Sequence, residues 1–91
     1  MTSYLASYDI SNNRIRTQVA RVLQRYGQRL QKSVFLVWLD DGDVGELKRE
    51  IGARLEKEDA FELIPVDLNP NRHWIRWQQP IDFADSVRVY W

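Results

Sequence analysis

Tyr4–Ile10, YLASYDI, is a short run rich in Tyr, Leu and Ile that polar residues stop, and it reads as a strand. Ser11 follows as an N-cap residue. Beyond it, Ile15, Val19, Val22, Leu23 and Tyr26 recur at i, i+4, i+7, i+8 and i+11, one face of a helix over about residues 12–26. Gly27 suits the C-cap of that helix. The longest apolar stretch comes next, Leu30–Leu39, and divides into two strands, Arg29–Gln31 and Ser33–Leu39, broken at Lys32. The second of these is apolar on both alternating faces. Val34, Leu36 and Trp38 lie on one, and Phe35, Val37 and Leu39 on the other.

Asp40, Asp41, Gly42 and Asp43 form a turn cluster, with Asp43 and Glu46 at capping-box spacing. The three aspartates lack the alternating ligands and terminal Glu of a calcium loop. Val44, Leu47, Ile51 and Leu55 then mark a second helix over about residues 44–57, with Gly52 beside its apolar stripe, where it would let the helix approach the sheet closely. Ala60–Leu68 reads as a strand, and Pro65 requires one edge of it to be free or irregular. Residues 69–84 are irregular but hold Trp74, Trp77 and Phe83, and Asp85–Trp91 reads as a final short strand.

This order predicts an α+β fold: a ferredoxin-like βαββαβ core over 1–68, then a C-terminal extension, 69–91, that ends in an extra strand. Two helices cover one face of such a sheet. The second apolar face of Ser33–Leu39 needs a partner, and a second copy of the chain supplies one in a sheet-to-sheet homodimer. The fold also hosts RNA-recognition domains, but SVFLVWL lacks the glycines of their base-stacking strand.

Ninety-one residues make one domain with a modest core, and 44% hydrophobic content is ordinary for a globular fold. The absence of cysteine excludes a disulfide framework and a thiolate zinc site, and fits a reducing cytoplasm. No apolar run approaches the roughly 18 residues of a membrane span, and no signal peptide is expected. Net charge is zero, yet the charge is segregated. Residues 1–32 carry six Lys/Arg against one Asp, and residues 40–67 carry four against ten Asp/Glu. A locally basic face can bind polyanions whatever the global balance.

Two features carry candidate chemistry. Asp9 is the only acidic residue among the first 39 and stands at a strand end. It could ligate a divalent cation, or it could bond the turn that follows. Arg14, Arg21 and Arg25 line up on the first helix, the last two each within about 20° of Arg14. They could follow a nucleic-acid backbone, or cover the core edge with their long stems. His73, the only histidine, reads as structural or exposed rather than catalytic.

YLASYDIS, a basic helix and then RYGQRLQKSVFLVWL resemble the CRISPR-associated protein 2 family, the small subunit of the spacer-acquisition machinery. The match rests on Tyr8-Asp9-Ile10, on Tyr26-Gly27 and on Gln31-Lys32-Ser33-Val34-Phe35. It covers residues 4–39 well and 44–68 more loosely, whereas residues 69–84 are longer than the compact family pattern. The resemblance implies the ferredoxin-like fold and a symmetric dimer whose C-terminal strand, here Asp85–Trp91, pairs with the partner's sheet. It implies that Asp9 binds Mg2+ or another divalent cation near the dimer axis, as the catalytic residue of a metal-dependent endonuclease on single-stranded RNA or double-stranded DNA. Arg14, Arg16, Arg21 and Arg25 would contact the nucleic acid, and Tyr8, Ser33 and Phe35 would lie near the dimer centre in support. A CRISPR integrase subunit is the implied protein partner. The alternative is a non-catalytic bridge that holds protospacer DNA between integrase dimers. A toxin-like RNA-cleaving relative of the same fold is a third class. One carboxylate per chain is thin for a nuclease, and symmetry would bring two Asp9 side chains to one shared ion.

Overall fold

The computed structural model describes residues 1–67. Leu68, the extension 69–91, its final strand and His73 lie outside the described residues. Six elements follow in order: β1 (Thr2–Asp9), α1 (Asn13–Gln24), β2 (Gly27–Gln31), β3 (Val34–Leu39), α2 (Asp41–Gly52) and β4 (Ala60–Pro65). The strands form one sheet in the order β2-β3-β1-β4, every neighbouring pair antiparallel. This is the expected βαββαβ ferredoxin-like core.

Strand pleating sorts the side chains into two sets. Tyr4, Ala6 and Tyr8 of β1 share a face with Phe35, Val37 and Leu39 of β3 and with Phe61 and Leu63 of β4. The helices cover that face. Val19, Val22 and Leu23 of α1 and Leu47 and Ile51 of α2 are buried against it. Tyr26, Val44 and Leu55 pack around the margin. Each fully buried aliphatic side chain here contributes about 1.5–3 kcal/mol. The second face carries Leu5, Ser7 and Asp9, Leu36 and Trp38, and Glu62 and Ile64. Trp38 is 38% exposed and Ile64 44%.

The ends of the elements correct several expectations. Asn12, not Ser11, caps α1, its Oδ1 accepting from the Ile15 N–H at 3.0 Å. Gly27 is not the C-cap residue. It opens β2, where an added Cβ would stand 1.9 Å from the Leu36 carbonyl oxygen. Only hydrogen fits there, because the chain leaves α1 directly into the sheet, with Trp38 N–H donating to the Tyr26 carbonyl at 3.1 Å. The second helix starts and ends earlier than its apolar stripe predicts, at Asp41–Gly52 instead of 44–57. Its N-terminal box joins Asp40 and Asp43 instead of Asp43 and Glu46: the Asp40 N–H donates to Asp43 Oδ2 at 3.0 Å. The aspartate cluster is thus the first turn of a helix, where acidic charge complements the dipole. Gly52 gives no close approach, since a Cβ there would meet nothing within 4 Å. The last strand ends at Pro65, which pairs with Tyr4 on the outer strand β4. A residue without an N–H belongs on such an edge. The predicted break at Lys32 is the turn between β2 and β3.

Candidate metal site and nucleic-acid surface

Asp9 is the last residue of β1, opposite Ala60 of β4, and is exposed. Its flanking residues Tyr8 and Ile10 are buried, so the chain is anchored on both sides of the carboxylate. Arg16 adds a second anchor. From the first turn of α1 its Nη1 donates back to the Ile10 carbonyl at 2.9 Å and to the Ser11 carbonyl at 3.5 Å. Arg16 therefore ties down the link between β1 and α1, and its half-buried guanidinium is already engaged.

Tyr8, Ser33 and Phe35 come together behind Asp9. Tyr8 N–H donates to the Ser33 carbonyl at 3.1 Å, and Tyr8 Oη donates to the Lys32 carbonyl at 3.4 Å. The Tyr8 and Phe35 rings stack with centroids 6.4 Å apart. Both rings are on the helix-covered face, and Phe35 is wholly buried. These contacts join the end of β1 to the β2–β3 turn and to β3.

Arg29 completes this cluster, and sequence reading passed over it. It faces Phe35 in the β2–β3 register, and its guanidinium lies 4.9 Å from the Phe35 ring centroid. Burial pushes the Arg29 pKa down, against the pull of its Tyr8 neighbour. Burial likewise pushes the Tyr8 hydroxyl up, opposed by the positive charges of Arg29 and Arg16. The alternation of GQRLQ against SVFLVWL carried the signal, because it aligns Arg29 with inward-facing Phe35.

Glu62 is a second carboxylate that the sequence reading did not single out. It pairs with Ser7, diagonal to Asp9 on the same face. Among the described residues, no group of three or more Asp, Glu, His or Cys could hold a metal ion. One chain thus offers Asp9 as a single hard-oxygen ligand, which fits one position of a Mg2+ shell and not a complete set.

The four candidate arginines separate into different roles. Arg14 and Arg21 are exposed and make no hydrogen bond or ion pair among the described residues. Arg16 holds the β1–α1 link. Arg25 pairs with Glu50 of α2 and lies over the Tyr26 ring at 5.8 Å from its centroid. The Tyr26 hydroxyl is pushed up by burial and by the nearby Glu46 carboxylate.

A family model described as CRISPR associated protein Cas2 matches residues 1–74. The chain belongs to the Cas2 family. The CRISPR-associated endonuclease Cas2 2 of Thermus thermophilus is 36% identical over 64 residues, 69% of this chain and 71% of that protein. The CRISPR-associated endoribonuclease Cas2 3 of a Synechocystis strain is 31% identical over 81 residues, 88% of each. A crystal structure of a hypothetical protein from Thermus thermophilus superposes with a TM-score of 0.78 at 30% identity, covering 88% of this chain and 95% of that one. A chain from a partial Cas6-RT-Cas1–Cas2 complex shares the fold, with a TM-score of 0.62 at 23% identity over 92% of this chain and 99% of that one. No described helix is long and apolar enough to cross a membrane.

Proposed function

We propose that this Cas2-family chain acts in CRISPR adaptation as a cytoplasmic, nucleic-acid-binding homodimer that cleaves phosphodiester bonds in RNA or DNA with the aid of Mg2+. The observation that carries the proposal is the exposed Asp9 carboxylate, held at the end of β1 by the buried Tyr8 and Ile10 and by the Arg16 tie. The relatives named endonuclease and endoribonuclease support it. Asp9 from each of two copies would hold one divalent cation, with water and phosphate oxygens taking the remaining positions. Such an ion would supply Lewis acidity at the scissile phosphate. The half-exposed Trp38 and Ile64 favour the far sheet face as the dimer interface. Arg14 and Arg21 would contact phosphates. A Cas1-type integrase subunit would be the protein partner, a pairing supported by the similar chain in a Cas1–Cas2 assembly.

The absence of a three-ligand cluster among the described residues favours a second reading, a non-catalytic bridge that holds DNA between integrase subunits. One experiment separates the two. Labelled single-stranded RNA and double-stranded DNA are incubated with the dimer, with Mg2+ or chelator, beside Asp9→Ala. The nuclease reading expects Mg2+-dependent cutting that falls by at least about 100-fold in the variant. Binding without cutting by either protein would leave the bridge.

A further inference from the structure

The helix layer contains a cleft of about 430 Å³ that the Asp9 site does not use. Gln18, Arg21, Val22 and Arg25 of α1 form one wall, and Glu50 with Arg54 forms the other. Three guanidinium groups thus meet one carboxylate. Arg54 was not among the candidate nucleic-acid contacts, because it lies in the acidic half of the sequence, just beyond the end of α2. Only folding brings it beside the arginines of α1.

The hydrogen bonds divide the three arginines by availability. Arg21 is exposed and makes no hydrogen bond or ion pair among the described residues. Arg54 Nη1 donates to the Glu50 carbonyl at 2.7 Å, which orients its guanidinium and leaves it other N–H groups. Arg25 donates to the Glu50 carboxylate. The Arg25 side chain is 55% exposed and that of Glu50 30%. An ion pair this open is weak, so another anion can compete for the Arg25 guanidinium. A phosphodiester oxygen is such an anion, and guanidinium groups suit it.

We propose that this cleft is a phosphate-binding site for the nucleic-acid backbone, in which Glu50 is an internal counter-ion that a phosphate displaces from Arg25. The proposal rests on the nucleic-acid-binding reading above and extends it to a second surface, set by α2 as well as α1. Arg21 and Arg54 receive the phosphate, and Arg25 joins them once Glu50 turns aside. Glu50 thereby sets the affinity of the surface.

The test measures binding of a labelled DNA duplex to the full chain across a salt series without Mg2+. Wild type is compared with Glu50→Gln, Arg21→Gln, Arg54→Lys and Arg14→Gln, and folding is checked by circular dichroism. Glu50→Gln removes the carboxylate that competes with phosphate for Arg25, so it should bind about fivefold tighter at 0.1 M salt. Arg21→Gln should bind about fivefold more weakly with a shallower slope. Arg54→Lys keeps the charge but loses the forked donor, so it should weaken binding with the slope unchanged. Unchanged affinity in both Glu50→Gln and Arg21→Gln, with Arg14→Gln still weakened, would overturn the cleft and leave the broader reading standing. Wild-type protein with no salt-dependent binding would overturn both.

Discussion

The two faces of one sheet differ in what their residues are held by. On the helix side, Ala6, Phe35 and Val37 have no exposed surface, and Leu39 has 1%. One residue along the same strands, Trp38 is 38% exposed and Asp9 is open to solvent. Alternate side chains of a single strand therefore differ in exposure, but the second face is mixed, since Leu36 is buried at 2% exposure beside the exposed Trp38. Asp9 gains from this arrangement, since the residues that fix its backbone, Tyr8 and Ile10, belong to the buried set.

The difference can be broken most directly by truncation on either face of the sheet. Phe35→Ala should cost about 3–5 kcal/mol in chemical denaturation, since it opens a cavity under Tyr8 and Arg29. Ile64→Ala should cost far less in the isolated chain. Its effect should appear as weaker self-association in sedimentation, and a stability loss equal to that of Phe35→Ala would erase the distinction. Gly27→Ala should follow, at about 1–3 kcal/mol or more, because its methyl group would collide with the Leu36 carbonyl and push β2 from β3. Loss of amide protection in β2 ahead of the other strands would locate the damage.

Asn12→Ala should cost about 1 kcal/mol in thermal or chemical denaturation, as the Ile15 N–H loses its acceptor. Ser11→Ala should do less, which tests the corrected cap. The smallest expected effect is one of pH. Burial raises the Tyr8 pKa in the folded chain above its ordinary value. The unfolded chain then releases that proton first as pH rises, so the stability due to neutral Tyr8 is complete below about pH 10 and is lost above it. Tyr8→Phe should flatten this alkaline decline in melting temperature. An unchanged decline would assign it to other groups, Tyr26 among them.

Over residues 1–67, periodicity and single-residue chemistry were enough for the element order, the break at Lys32 and the edge position of Pro65. Those features depend on local spacing and on the chemistry of single residues, so short stretches of chain contain them. The ends of the helices were less legible. Ser11 and Asn12 both have side chains that can cap, and the choice depends on which carbonyl oxygen meets the Ile15 N–H. Gly27 looked like a helix stop, although its need for hydrogen comes from Leu36, nine residues away across a turn.

The candidate site divides along the same line. The sequence by itself determined that Asp9 is an isolated carboxylate at a strand end and that α1 is rich in arginine, because both are facts of order along the chain. Only the tertiary structure decided which arginines are available. Arg16 is drawn to the Ile10 carbonyl and Arg25 to Glu50, whereas Arg14 and Arg21 remain open. Arg29 is carried inside against Phe35, and Arg54 is brought to the α1 wall from the acidic half of the chain. Side chains of one type thus came to hold a loop, pack on an aromatic ring or face solvent. The physical reason is that a guanidinium takes its role from the carbonyl, carboxylate or ring within reach, and those partners come from other elements.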